Sequence, residues 1–461
     1  MHRFLISAAH KSSGKTTISI GLAAALRARG LTVQPFKKGP DYIDPLWLSL
    51  AAGRGCRNLD FFLSSHDEIR SQFAHGHDAD VCLVEGNKGL YDGLALDGAN
   101  SNAALARLLG LPVILVIDAR GMTRGIAPLI LGYQAFERDI KIAGVILNRL
   151  GGSRHESKLR AVIEHYTDVP VLGAVHEDAE LALVERHLGL MPANEASGAE
   201  RLVSTIAERV ASQVDLDRLL AITATDVRLP GPASTAAALK DKIRIAIAQD
   251  AAFGFYYTDD IEAFAAAGAE LVPFDTLKDS HLPACDGLFI GGGFPESFLD
   301  ELTANESLRT DIRKAIEAGL PAYAECGGLM YLARSITWKD HTQPMVGVID
   351  GNVVMHEKPI GRGYVVLEPA PGHPWHTPGT DFWPEVRAHE FHYSELRDLP
   401  AATRCAYTVK RGHGIDGQRD GIVIHNLLAS YTHLRAVARS DWPARFVEFA
   451  RACREHSRQP N

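Results

Sequence analysis

Pro321-Ala322-Tyr323-Ala324-Glu325-Cys326-Gly327-Gly328-Leu329-Met330-Tyr331-Leu332 is the stretch on which the fold turns. An apolar run leads into Cys326, two glycines follow, and apolar residues then recur at helical spacing. This pattern predicts a strand, a sharp turn and a helix, with a thiol at the apex. Ala324 and Gly328 flank the turn, where a tight elbow has no room for larger side chains. A thiol beside a helix N-terminus favours the nucleophilic thiolate. Taken alone, the stretch also fits an ordinary buried cysteine, so the rest of the chain has to decide.

At 461 residues the chain is long enough for two or three domains. Hydrophobic residues make up 46% and charged residues 23%, as in ordinary globular proteins. A net charge of -8 argues against sequence-independent nucleic-acid binding and against an anionic membrane as partner. The six cysteines are scattered without a C-x-x-C pair, so neither a zinc site nor a disulfide framework is expected. No run approaches the ~18 apolar residues of a spanning helix, and the N-terminus lacks a signal-peptide pattern. A cytoplasmic location is expected.

The first half alternates strands and helices. Residues 3–9 form an apolar strand, His10-Lys11-Ser12-Ser13-Gly14-Lys15-Thr16-Thr17 a loop, and residues 16–29 a helix. Strand, Gly-Lys-Thr, helix is the context of a phosphate-binding loop, although Ala9 stands where the usual pattern has its first glycine. Ser13, Gly14, Lys15, Thr16 and Thr17 are the candidate phosphate ligands, with the Thr16 hydroxyl placed on Mg²⁺. After a second strand, Lys37-Lys38-Gly39-Pro40-Asp41-Tyr42-Ile43-Asp44-Pro45 reads as a turn, with Asp41 and Asp44 as candidate site carboxylates. A third strand ends at Glu85, a candidate for holding the metal or its water, and Asp92 follows as a second acidic group. Further strand–helix units lead to Asn148, whose amide is a candidate reader of the adenine edge, and repeated units predict a mostly parallel sheet. His187 reads as a structural or helix-end histidine. One or two helices over 195–222 precede a Pro/Gly/Ser-rich linker at 223–241.

The second half restarts with strand 243–248, helix 258–267 and strand 270–274. Gly291-Gly292-Gly293 follows an apolar strand, so the Gly292 and Gly293 amides are oxyanion-hole candidates. A helix over 297–318 leads to the Cys326 elbow. Short strands follow over 345–369 and 402–410. His389 and His392 are spaced i, i+3, but no further ligand lies near and no metal is expected there. A cysteine nucleophile needs a base delivered by the fold. His433 is the first candidate and His425 the second. Residues 441–461 read as a terminal helix and tail, leaving 1–222 and 242–440 as the two functional domains.

The combination resembles the cobyrinic acid a,c-diamide synthase family, glutamine-dependent amidotransferases of tetrapyrrole metabolism. The likeness is carried by Gly14-Lys15-Thr16-Thr17, Gln34 to Pro45, Arg57-Asn58-Leu59-Asp60, Glu85-Gly86 with Gly89-Leu90-Tyr91-Asp92-Gly93, Gly144 to Arg149, Arg186 to Leu190, Glu325 to Tyr331, His389 to Ser394 and Ala429 to His433. It implies an α/β chain with a dethiobiotin-synthetase-like N-terminal domain and a class I glutamine amidotransferase C-terminal domain. By resemblance, Cys326 attacks glutamine, His433 shuttles protons, and ATP with Mg²⁺ activates a tetrapyrrole carboxylate at the face holding Asp41, Asp44, Glu85 and Asp92. Glutamine, ATP and the macrocycle are the expected partners; the oligomeric state stays open, with a homodimer as one option.

Two departures stand out. Amidotransferases of this class often carry a carboxylate two residues after the histidine, the family usually has His-x-His, and Arg435 stands there in this chain. The loop and the Glu85-Gly86-Asn87-Lys88 run are similar to a branch associated with dissimilatory sulfite reductase, which implies sirohaem as the alternative substrate. Two other readings compete. A partition-ATPase-type switch carries an extra lysine at the position of His10, and a degenerate amidotransferase would use free ammonia.

Overall fold

The chain, seen in a computed structural model, is described over residues 1–461 except 182, 184, 187, 188, 228, 232–241, 376–384, 438, 439 and 459–461. It divides into two compact units, Met1–Ala233 and Ser234–Asn461. His187 lies outside the described residues, and most of the expected linker does too. The start of that linker belongs to the first unit: Ala224 bridges to His2, and Arg3 donates to the Val227 carbonyl at 2.7 Å.

In the first unit β1 (His2–Ala8) runs into the loop before α1 (Lys15–Ala28). There follow β2 (Val33–Lys38), α2 (Ile43–Ala52), β3 (Arg57–Leu59), α3 (His66–Ala74), β4 (Val81–Glu85), α4 (Asn102–Leu109), β5 (Val113–Asp118), α5 (Ile126–Phe136), β6 (Ile142–Leu150), α6 (Ser153–Tyr166), β7 (Val171–His176), the short pair β8 (Glu185–Arg186) and β9 (Gly189–Leu190), α7 (Ala199–Gln213) and α8 (Leu216–Thr223). Seven strands pair in parallel in the order β3-β2-β4-β1-β5-β6-β7. Their near-continuous apolar sequences fit a sheet covered by helices on both faces. The order places the carboxyl ends of β1, β2 and β4 side by side, where open α/β sheets build their sites.

Two stretches depart from the expected pattern. Lys37 and Lys38 end β2 and are not in a turn, and Asp44 sits in the first turn of α2. The Asp41 carboxylate accepts from the Ile43 and Asp44 amides at 3.0 and 3.2 Å, capping that helix. Helix α3 is set by a full capping box between Ser65 and Glu68.

The second unit contains β10 (Ile243–Ala248), β11 (Phe253–Phe255), α9 (Thr258–Ala266), β12 (Ala269–Phe274), β13 (Gly287–Ile290), β14 (Gly292–Gly293), α10 (Leu299–Ala304), α11 (Glu306–Glu317), β15 (Ala322–Glu325), α12 (Gly327–Leu332), β16 (Ala333–Trp338), β17 (His341–Pro344), β18 (Ile349–Met355), β19 (Gly361–Pro369), β20 (Val386–His392), β21 (Ser394–Arg397), β22 (Cys405–Arg411), β23 (Arg419–Ile424), β24 (Leu427–Ser430) and α13 (Trp442–Arg458). Its main sheet runs β12-β10-β13-β15-β24-β23-β22-β19-β20. Pairing is parallel from β12 to β24 and antiparallel beyond. Strands β17-β16-β18-β21 make a smaller sheet.

The helix expected over 297–318 is broken. Asn305 separates α10 from α11, and its amide donates to the Thr276 and Asp279 carbonyls at 2.8 and 2.9 Å. The terminal helix is part of the core: Trp442, Phe446, Val447 and Ala450 are buried against Phe264, Tyr323 and Trp375.

Candidate active sites

In the first unit the loop 9–14 bends through left-handed backbone at Ser12 (φ 61) and Gly14 (φ 86). A Cβ on Gly14 would come within 2.1 Å of the Asn148 amide nitrogen. That nitrogen donates to the Ser13 carbonyl at 2.9 Å. Asn148, the candidate adenine reader, thus also braces the loop. Ala9 has no positive φ, so alanine stands in the first glycine's place without strain. Arg149 adds a second brace, donating to the Ser12 carbonyl and to Asp118 at 2.8 and 2.9 Å. An open cleft of ≈ 590 Å³ lined by His10, Asp118, Arg120, Gly121 and Met122 adjoins the loop.

At the carboxyl ends of β1, β2 and β4, polar groups converge. The Thr16 hydroxyl donates to Glu85 Oε1 at 2.9 Å and to Asp44 Oδ2 at 3.4 Å. Lys37 Nζ lies 2.8 Å from Glu85, 2.5 Å from Asp44 and 3.8 Å from Asp41. Burial alone would lower the Lys37 ammonium, but Asp44, Glu85 and Asp41 outweigh it and hold it well above its usual value. Burial raises Asp41 and Glu85, with Lys37 pulling both back. Burial also lowers Lys15, which Glu85 opposes, and lowers Lys38 to about 8. Asp92 is exposed; it accepts from the Gly89 amide at 2.8 Å, and its charge reaches Lys15. The motif 34–45 drew attention to its carboxylates. Lys37, the cation at the centre of the cluster, was recognisable only as one of two adjacent lysines.

Whether this cluster suits Mg²⁺ can be tested on Glu85. Its Oε2 is buried and has no hydrogen-bond partner among the described residues, as expected of a carboxylate oxygen awaiting a cation. Among the described residues no group of three or more His, Cys, Asp or Glu forms a closed metal cage. Mg²⁺ in nucleotide sites is held by one or two protein groups plus phosphates and water, so Thr16 and Glu85 fit.

In the second unit the elbow forms as expected. Cys326 has φ 48 and ψ -101, a strained apex between β15 and α12. A Cβ on Gly328 would meet the Ile290 carbonyl oxygen at 2.1 Å, so the turn excludes any side chain there. Strand β15 pairs with β24 in the register Ala322↔Leu427 to Glu325↔Ser430, and the Cys326 amide donates to the Ser430 carbonyl at 2.7 Å. This register separates the two candidate bases. His425 lies just before β24, at the Ala322 end, whereas His433 follows β24 at the Cys326 end. His433 and Cys326 are near enough to act on each other electrostatically, and the Cys326 sulfur also reaches the Phe391 carbonyl at 4.0 Å.

His433 is buried and tightly held. Its backbone bridges to His389, and the two rings stack at 5.0 Å and 20°. A Cβ on Gly292 would fall 2.6 Å from His433 Cε1, so glycine there makes room for the ring. The Gly293 nitrogen lies 2.9 Å from where a Gly327 Cβ would stand, which brings this amide to the elbow. Burial would lower His433, but Cys326 and Glu325 outweigh it and raise the imidazole to about 10. His389 is pushed well below its usual value by burial, His433 and Arg435. His392 is placed away from His389: its ring stacks on Tyr431 at 4.0 Å.

Residues 5–190 match the family profile described as CobQ/CobB/MinD/ParA nucleotide binding domain. Residues 244–440 match the CobB/CobQ-like glutamine amidotransferase domain. The chain is 47% identical over 457 residues to the cobyrinate a,c-diamide synthase of Magnetococcus marinus, covering 97% of each chain. It is 43% identical to that of Methanosarcina acetivorans, covering 97% of this chain and 95% of the other. It is 41% identical to that of Listeria monocytogenes, covering 94% and 96%. The nucleotide-binding profile is shared with MinD and ParA, but the full-length matches bring in the second unit too, and with it glutamine-hydrolysing ligase activity. The chain belongs to the cobyrinate a,c-diamide synthase family.

Proposed function

We propose that the chain uses ATP and glutamine to convert the a and c carboxylate side chains of a cobyrinate-type macrocycle into amides. The full-length similarity to relatives named for that activity carries the reading, and the two clusters of side chains supply its parts. A cytoplasmic setting fits, since a reducing compartment keeps thiols from pairing as disulfides.

In the second unit the Cys326 sulfur, its proton already held by His433, attacks the glutamine side-chain carbonyl. His433 returns the proton to the departing nitrogen, the C–N bond breaks, and ammonia leaves a thioester. Water then adds to the thioester with His433 as base, releasing glutamate and restoring the thiol. Donors at Gly292 and Gly293 are the candidates for stabilising the tetrahedral oxyanion.

In the first unit a substrate carboxylate oxygen displaces ADP from the γ-phosphorus of ATP, giving an acyl phosphate. Ammonia attacks the acyl carbon, phosphate leaves, and a proton is lost to give the amide. Ser13, Gly14, Lys15, Thr16 and Thr17 cradle the phosphates, and Lys15 offsets charge on the transferring group. Thr16 and Glu85 are the residues that would hold Mg²⁺, which when bound neutralises phosphate charge. Asp41, Asp44 and Asp92 line the face where the carboxylate is activated, with Lys37 positioned to neutralise an incoming anion.

The test is mass-spectrometric detection of amides formed from ATP, Mg²⁺ and glutamine on cobyrinic acid, hydrogenobyrinic acid and sirohaem. Two amides on a corrinoid are expected. Amidation of sirohaem alone would overturn the substrate assignment, and ATP hydrolysis with no amide from any would overturn the ligase reading.

A further inference from the structure

We propose that Glu325, the residue immediately before the nucleophile, is the carboxylate that orients His433 for catalysis. The inference rests on the Cys326–His433 reading above.

The position two residues after His433 cannot do this work. Arg435 is fully buried, and its Nε donates to Asp259 on α9 at 2.9 Å. The carboxylate comes from the other side of the elbow. Glu325 ends β15 with 2% of its surface exposed, and its Oε2 lies 3.4 Å from His433 Nδ1. Its Oε1 accepts from the Tyr323 hydroxyl at 2.6 Å and from the Leu434 amide at 2.8 Å. These two donors fix the carboxylate and leave Oε2 at ion-pair distance from Nδ1. With Nδ1 turned to Glu325, Nε2 is the nitrogen left for Cys326, which is the tautomer a general base requires. The remaining polar groups around the ring come from β20, β11–α9 and the segment after β24: His389 stacks on it, Tyr257 reaches His389 at 3.4 Å, and Asp259, Asp260 and Arg435 lie behind. Among these acids Asp259 pairs with Arg435, and Asp260 accepts from the Ala436 amide at 2.6 Å. Glu325 is the acid within reach of Nδ1. Its anion also favours the imidazolium that forms during proton transfer, in keeping with the raised affinity of His433 for its proton.

Glu325→Gln is the test. A glutamine can keep the Tyr323 and Leu434 bonds with its oxygen, which turns its NH₂ toward Nδ1. His433 is then driven to the opposite tautomer and cannot take the thiol proton. Glutamine-dependent kcat is expected to fall about 10²-fold or more, with KM for glutamine within about threefold and ammonia-dependent amidation unchanged. The alkaline limit of glutaminase activity shifts downward. Glu325→Asp keeps the charge at greater distance and recovers part of the lost kcat. Should Glu325→Gln fail to fold, the pH profile of Glu325→Asp carries the test, and an unshifted alkaline limit there overturns the proposal. So does a Glu325→Gln enzyme that keeps kcat within threefold. Cys326→Ala separates the two layers. If it retains glutamine-dependent activity, the Cys–His reading falls. If it loses that activity while Glu325→Gln does not, only the role of Glu325 falls.

Discussion

Arg435 is fully buried two residues after His433, and removing its charge puts the fold of the second unit at risk. Its Nε lies 2.9 Å from Asp259, and its guanidinium sits 5.0 Å over the Tyr257 ring. In Arg435→Ala the Asp259 carboxylate, 5% exposed, loses its charged partner. Breaking one side of a buried pair costs about 3–5 kcal/mol, and opposite charges about 4 Å apart at an effective dielectric of 20 give ~4 kcal/mol. The lost cation–π contact belongs to the same cost, at up to about 2 kcal/mol. The double variant Arg435→Met/Asp259→Leu removes the desolvated charges together and is expected to recover to within about 1 kcal/mol of the parent. Urea unfolding followed by hydrogen exchange in peptides from α9 and β24 reads the second unit without interference from the first. A loss below about 1 kcal/mol in Arg435→Ala, or a double variant no better than the single, would refute a paired, structural Arg435. The sequence placed arginine where a catalytic carboxylate often stands. The buried pair explains it as a tie between the His433 segment and α9.

Three further outcomes follow from the geometry. Lys15→Ala abolishes amidation with either glutamine or ammonia, measured by amide formation; retained ammonia-driven synthesis would sink the acyl-phosphate scheme. Gly328→Ala drives a methyl group to 2.1 Å from the Ile290 carbonyl oxygen, a backbone atom that cannot rotate away, so it destabilises the second unit by about 1–3 kcal/mol or more, and unchanged thermal unfolding speaks against a closed elbow. His433 binds its proton more tightly when folded, with the value raised to about 10; its stabilising contribution is complete below its unfolded value of about 6.5 and is lost as pH rises through about 10. Stability of the second unit should therefore decline between those limits, and His433→Asn should flatten the decline.

Much of both sites is readable from residues close together in the chain. Gly14-Lys15-Thr16 between strand and helix, and Cys326 between β15 and α12, are local patterns set by backbone sterics and apolar period. The placement of Lys37 was less readable, because two adjacent lysines point to opposite faces of a strand and only the sheet decides which meets Glu85 and Asp44. Asn148 was read as a ligand of the base because strand ends carry sites. Its amide nitrogen donates to the Ser13 carbonyl, 135 positions away, a contact the sequence does not show. Helix 297–318 was read as continuous because its apolar pattern continues through Asn305, whose tertiary bonds break it.

The sequence by itself determined the two-part architecture, the phosphate loop and the thiol elbow, since each is encoded within one or two turns of chain. Only the tertiary structure shows which of the two candidate histidines lies beside Cys326 and which carboxylate faces it. The parallel register of β15 on β24 sets His433 beside the elbow and His425 at the far end. It also joins Glu325 to the Leu434 amide across 109 positions. Hydrogen bonds and buried charges act over a few ångströms in space, and distance along the chain carries no record of them until the sheet forms.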